Sequence, residues 1–180
     1  MEKKVVVHNK VFAVSITAQE IAERVCVLGS KISADMKGKN PLFVCVLNGA
    51  FMFASDLLKC IDVPCEVSFV KLSSYQGTGS SGNVRQLIGL GENLTGRSVV
   101  VIEDIVDTGL TMERIIATLK EAGANEVKVA SFLYKPDAFK ASFSIDYLGF
   151  KIPNKFVVGY GLDYDGIGRN FPEVYKLVEN

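Results

Sequence analysis

Hydrophobic and polar positions along the chain fall into repeating strand–turn–helix units. Positions 98–102 form a short β-branched run of Val99, Val100, Val101 and Ile102 with no polar face. That is the pattern of a strand buried on both sides in a parallel sheet. A helix is predicted from Met112 to about Ala122, where Ile115, Ile116 and Leu119 recur at helical spacing and Gly123 is placed to end it. The unit recurs upstream: an apolar run at 41–47, then Asn48 and Gly49, then a helical stretch to about Lys59. Thr17 and Glu20 have the spacing of a capping box. Ile21, Val25, Leu28 and Ile32 follow at helical spacing, predicting a helix over 18–36 that packs on the sheet and stops at Gly38.

Further strands are predicted at 5–7, 11–14, 65–72, 87–90, 126–133, 147–150, 156–160 and 174–178. The alternation over 41–133 predicts parallel strands with right-handed crossovers. The expected fold class is therefore α/β: an open, mainly parallel twisted sheet flanked by helices, with a small β-rich hood. The chain reads as one domain over 1–180, with a core at about 37–145 and a hood from about 1–16 and 146–180.

Composition narrows the chemistry. The 180 residues are 48% hydrophobic, enough for one sizeable core. Lys+Arg and Asp+Glu are both 20, for zero formal net charge. No global field draws the chain to nucleic acid or an anionic membrane, so any phosphate site must be local. No apolar stretch is long enough for a bilayer, and the run after Met1, Glu2, Lys3 and Lys4 stops at Val7. A cytoplasmic protein with no membrane partner is expected. Cys26, Cys45, Cys60 and Cys65 show no C-x-x-C spacing, and His8 is the only histidine. This argues against a zinc site and against serine–histidine or cysteine–histidine catalysis, and for reduced core thiols. Carboxylates, lysine, backbone or a bound metal are left to carry any reaction.

The stretch from Ser98 to Met112 concentrates those groups. Glu103 and Asp104 follow the buried run, and ligands of an open α/β sheet sit beyond the carboxyl ends of its strands. Asp107, Thr108, Gly109, Leu110 and Thr111 then make a polar turn into a helix, offering backbone N–H groups and the positive end of the helix dipole. Thr108 and Thr111 add hydroxyls, and Gly109 lets a phosphate approach closely. Two adjacent carboxylates would repel that phosphate; they make sense facing vicinal sugar hydroxyls or a divalent cation. Together they suit a ribose 5-phosphate better than a solvated acidic loop does.

Other features are less decided by their residues alone. Asn48 and Gly49 open on the same side, as a second phosphate contact or an ordinary tight turn. The Gly- and Ser-rich segment at 73–85, with Ser74 and Tyr75, is a linker or a lid that excludes water. Lys135 begins a loop on the carboxyl side of the sheet, where a lone lysine is usually just solvated. Asp163 lies in an acidic turn, shortly before Arg169.

The run from Glu103 to Thr111 resembles the diphosphate-sugar motif of the purine and pyrimidine phosphoribosyltransferases. From Leu42 to Arg169 the chain resembles the short bacterial hypoxanthine-guanine branch of that family. The resemblance implies transfer of 5-phosphoribosyl from phosphoribosyl diphosphate (PRPP) to hypoxanthine or guanine, giving IMP or GMP plus pyrophosphate, with Mg2+ as cofactor. It implies pyrophosphate binding at Asn48, Gly49 and Arg169, and purine binding at Lys135, Phe156, Val157 and Asp163. Ser74 and Tyr75 become the lid. Glu103, Asp104, Asp107, Thr108, Gly109, Leu110 and Thr111 hold the ribose 5-phosphate. Glu103, Asp104 and Asp163 serve the metal, and Asp107 is the expected general base. Asn48 departs from the pattern, since many relatives have lysine there. A homodimer or homotetramer is expected. Two alternatives are a PRPP-sensing regulator that binds nucleic acid and a xanthine-preferring transferase. The first would need a basic face or an added DNA-binding module, and the sequence offers neither a helix-turn-helix nor net positive charge.

Overall fold

The computed structural model describes residues 3–73, 85–88 and 91–178. The expected lid residues Ser74 and Tyr75 lie outside them. The strands are β1 (Lys4–Val7), β2 (Lys10–Ile16), β3 (Leu42–Leu47), β4 (Glu66–Ser73), β5 (Arg85–Ile88), β6 (Ser98–Val106), β7 (Glu126–Tyr134), β8 (Tyr147–Lys151), β9 (Val157–Val158) and β10 (Val174–Leu177). The helices are α1 (Ala18–Asp35), α2 (Phe51–Lys59) and α3 (Leu110–Glu121).

The larger sheet has the order β5-β4-β3-β6-β7-β8. Strands β4, β3, β6, β7 and β8 run parallel, and β5 adds an antiparallel edge. Its central strand explains the layering. Val99, Val100, Val101 and Ile102 are all fully buried, and because successive side chains point to opposite faces, they divide between two cores. Val100 and Ile102 join Phe43, Cys45 and Phe132 under α1 and α2. Val99 and Val101 join Leu42, Val44 and Val129 under α3. Helix α1 starts at the predicted capping box: Thr17 Oγ1 accepts from the Glu20 N–H, and Glu20 accepts from the Thr17 N–H at 2.8 Å.

The smaller sheet, β1-β2-β10-β9, is antiparallel throughout and has its own core of Val7, Phe12, Val158 and Tyr175. This is the expected hood, with one boundary moved. Strand β8 pairs with β7 in the large sheet, so the second hood segment begins after Lys151 rather than at 146.

Three further expectations shift. The central strand does not stop before the acids but runs through Glu103 and Asp104 to Val106, because β7 keeps pairing with it. Helix α3 starts at Leu110, two residues early. The strand predicted over 156–160 shrinks to Val157–Val158, because Gly159, Tyr160 and Gly161 all adopt positive φ, at 99°, 48° and 99°. Of the thiols, only Cys45 is buried, which pushes its pKa up to about 12; Cys26 is exposed, with its Sγ 3.2 Å from that of Cys60.

Candidate active site

The strand–turn–helix unit of β6 and α3 supplies one wall of a cavity of about 250 Å³. Glu103, Asp107, Thr108, Gly109 and Thr111 line it, with Val46 and Leu47 from β3 opposite. Gly109 caps α3 in the left-handed region, φ 81°, and a Cβ there would meet the ring of Phe139. Gly109 has no side chain to cap the helix, and the Leu110 N–H points to Thr108 Oγ1 at 3.5 Å, so the first N–H groups of α3 face the turn. The Leu110 side chain is 49% exposed and does not line the cavity.

Glu103 lines the cavity, and Asp104 follows it on β6 with its carboxylate against Gly49. Desolvation and the neighbouring Asp104 charge raise the Glu103 pKa well above the usual carboxylate range. Desolvation raises Asp104 too, and is partly offset by a hydrogen bond from Glu103, the Ile105 N–H at 2.7 Å and the Arg169 charge. Of the pair, Glu103 holds the proton more readily. Two desolvated carboxylates, one of them held towards its protonated form by burial and by the other's charge, are a donor set a hard dication would relieve. The residues present therefore fit Mg2+.

Asp104 also touches the second turn. The Leu47–Asn48 peptide is cis, Asn48 is exposed and Gly49 is buried. A Cβ on Gly49 would overlap the Asp104 carboxylate, and a Cβ on Gly161 would overlap the Gly49 carbonyl. These contacts join the hood to the sheet edge. Arg169 then holds the hood turn: its guanidinium donates to the Gly161 carbonyl at 2.7 Å and pairs with Asp163 Oδ1 at 2.6 Å. The Gly166 N–H donates to Asp163 Oδ2 at 2.7 Å. Both Asp163 oxygens are thus engaged.

Lys135 lies where β7 ends. Its N–H donates to the Val106 carbonyl, and its Nζ is 3.1 Å from Asp107 Oδ2. The lysine side chain is 10% exposed and the aspartate 47%. The lysine is therefore a buried ammonium paired with the half-exposed carboxylate of the phosphate turn, and not a solvated loop residue. Phe156 is placed beside β9, 45% exposed, with its ring against Phe12 and Tyr164. Val157 is buried in β9.

Sequence reasoning brought together Glu103, Asp104, Asp107, Gly49, Lys135, Asp163 and Arg169. It missed Gly161, the Tyr160–Asp56 hydrogen bond at 2.8 Å that ties the hood to α2, and Phe139 beneath Gly109. The paired glycines around Tyr160 were the available signal.

The sequence matches the phosphoribosyl transferase domain family over residues 15–165. It is 43% identical over 172 residues to a hypoxanthine-guanine phosphoribosyltransferase of Streptococcus agalactiae serotype V, covering 95% of this chain and 96% of that one. A solved hypoxanthine phosphoribosyltransferase from Staphylococcus aureus superimposes with a TM-score of 0.87 at 38% identity, covering 92% of this chain and 90% of that one. The chain is also 43% identical to the bifunctional protein TilS/HprT of Listeria innocua, but spans only 26% of that protein's length. With the diphosphate-sugar turn, the acidic pair and the hooded parallel sheet in one molecule, the chain belongs to the phosphoribosyltransferase family and groups with its hypoxanthine-guanine members.

Proposed function

We propose that the protein transfers the 5-phosphoribosyl group of PRPP to hypoxanthine or guanine, forming IMP or GMP and pyrophosphate for purine salvage. The observation that carries this reading is the Lys135–Asp107 pair at 3.1 Å, one side chain beyond the phosphate cradle. A 6-oxopurine presents O6 and N7 on one edge. Lys135 has donors only and suits O6; Asp107 suits the proton of N7. Adenine puts an amino donor at that place, which Lys135, with donors only, cannot pair with.

The roles of the chain follow. Thr108, Gly109, Thr111 and the backbone of Leu110 bind the 5-phosphate at the α3 end. Glu103 and Asp104 hold the ribose hydroxyls and, with substrate oxygens, the Mg2+; Asp163 serves a second metal through water. Bound Mg2+ neutralises charge on the departing pyrophosphate. Asn48, Gly49 and Arg169 bind that pyrophosphate. The flat face of Phe156 stacks the base, and the backbone of Val157 and Asp163 reads its N1 and C2 edge. Asp107 takes the N7 proton as the base joins C1 of the ribose, and Ser74 and Tyr75 exclude water.

We also propose a cytoplasmic homodimer or homotetramer. The four free cysteines support the compartment. Val67 and Phe69, alternate residues of β4 at 41% and 45% exposure, support association. Of a related Trypanosoma cruzi hypoxanthine phosphoribosyltransferase, the C-terminal region is known to bear on oligomeric state and activity. Incubation with Mg2+, PRPP and each of hypoxanthine, guanine, xanthine and adenine tests the main reading. IMP and GMP should form and AMP should not. No nucleotide, or adenine used as readily, would end it.

A further inference from the structure

Phe156 offers a flat, half-exposed ring, and what fixes its tilt is two other rings. Phe12 lies 6.2 Å away at 49°, and Tyr164 meets it edge-on at 5.5 Å and 77°. Tyr164 is itself fixed from several directions. Its N–H and carbonyl pair with Ile167 across a two-residue turn, with Asp165 and Gly166 at φ 48° and 85°. That is the geometry of a tight hairpin turn requiring two positive φ values.

The third constraint comes from the other end of the chain. The β1–β2 hairpin turns at His8, φ 52°, and its tip reaches Tyr164. The His8 ring stands edge-on to Tyr164 at 5.2 Å and 89°, and His8 Nε2 lies 3.2 Å from the Tyr164 carbonyl oxygen. Lys10 Nζ sits 5.1 Å over the same ring. The hood core of Val7, Phe12, Val158 and Tyr175 is complete without Tyr164, which packs at its rim.

We propose that Tyr164 is a positioning residue for the purine: it sets the tilt of Phe156, and the N-terminal hairpin tip at His8 and Lys10 holds Tyr164 in turn. This rests on the reading of Phe156 as the base platform. Such edge-to-face pairs are directional, and loss of one corresponds to about 2- to 10-fold in an equilibrium constant. The hairpin is therefore part of base recognition, although none of its residues touches the phosphate turn in sequence.

Tyr164→Leu keeps apolar bulk and deletes the ring. It should raise KM for hypoxanthine about 3- to 10-fold, with kcat and KM for PRPP unchanged. Tyr164→Phe, which keeps the ring edge, should restore the wild-type KM. His8→Gly fits the positive φ without strain and should raise the base KM about 2-fold. A purely structural role would move both KM values or kcat together. An unchanged base KM in Tyr164→Leu, an equal rise in both KM values, or no rescue by Phe overturns the inference. If the leucine variant does not fold, His8→Gly decides, and an unchanged base KM overturns it. An active wild type with unaffected variants defeats this inference alone; a wild type forming no nucleotide with either oxopurine defeats the purine reading and this inference together.

Discussion

The phosphate side of the site comes from one continuous run, residues 103–111, on a central strand and the helix it feeds. The base side is gathered from Lys135 at the end of β7, Phe156 beside β9, Asp163 and Tyr164 in the hood turn, and His8 in the first hairpin. On the phosphate side, the proposed contacts are mainly main-chain N–H groups, and residues 98–102 of the strand beneath them are buried. On the base side, side chains on loops hold one another through rings and ion pairs. A site built this way can keep its phosphate handling fixed while base preference changes through a few loop residues, because the two sides share few supports.

The largest expected effect probes the ion pair through which the two sides meet, Lys135 with Asp107. Asp107→Asn keeps an acceptor for Lys135 but cannot take a proton. Turnover should fall by about 10²–10⁴, with KM for PRPP little changed. A raised KM for PRPP at unchanged turnover would instead make Asp107 a brace of the phosphate turn, and would move it wholly to the first side of the comparison.

Gly49→Ala attacks the phosphate side at the Asp104 carboxylate. The new methyl meets the Asp104 carboxylate in a buried position. Overpacking of this kind costs about 1–3 kcal/mol, or roughly 2–12 °C in Tm for a chain of this size. KM for PRPP should rise and equilibrium binding of free base should not. A variant with wild-type Tm and PRPP kinetics would mean that the turn and Asp104 separate freely.

These contrasts also explain what the sequence made legible. The strand, acids, turn and helix of residues 98–123 are contiguous, so their local pattern carries both structure and chemistry. The capping box at Thr17 is equally local. Lys135 was placed on the correct side of the sheet because strand direction alone determines it. Its pairing with Asp107 was not legible, because that depends on β6 and β7 being neighbours in register. The strand expected over 156–160 failed because three positive-φ residues break it, and only two of them are glycine. The contacts of Arg169 with Asp163 and the Gly161 carbonyl were not legible either, because they depend on the path of the hood turn. The contacts of Phe156 with Phe12 and Tyr164 follow from hood pairing, which no local pattern encodes.

The acidic pair gives a smaller, pH-dependent test of the phosphate side. Glu103 has a pKa raised well above its ordinary value in the folded state. The folded protein therefore binds more protons than the unfolded one between those two values. Stability contributed by protonated Glu103 is full below the ordinary carboxylate range and is lost as pH rises through the raised pKa. In the absence of Mg2+ and PRPP, Tm should fall across that window. Glu103→Gln should flatten the fall and raise Tm at pH 8 by about 2–4 °C. An identical pH profile in the variant would mean that Glu103 ionises as freely folded as unfolded.

Tyr160→Phe is the mildest change and tests whether the two sides are independent. The Tyr160 hydroxyl donates to Asp56 Oδ2 at 2.8 Å, tying the hood to α2, while the ring packs on Phe132 with centroids 4.7 Å apart. Phenylalanine keeps the ring and loses the bond. Asp56 is 44% exposed and already paired with Lys59 at 2.8 Å, so water replaces the lost donor at little cost. A net loss of about 0.5–1.5 kcal/mol is expected, or roughly 1–6 °C in Tm. The kinetic consequence differs from that of Tyr164, because Tyr160 immediately precedes Gly161, whose backbone abuts the Gly49 carbonyl. A loosened hood should move KM for base and KM for PRPP together and slightly, by roughly 2-fold at most, the equivalent of a fraction of a hydrogen bond. A change in base KM alone would show that the hood turn moves without carrying the Gly49 turn, leaving base and phosphate recognition mechanically separate.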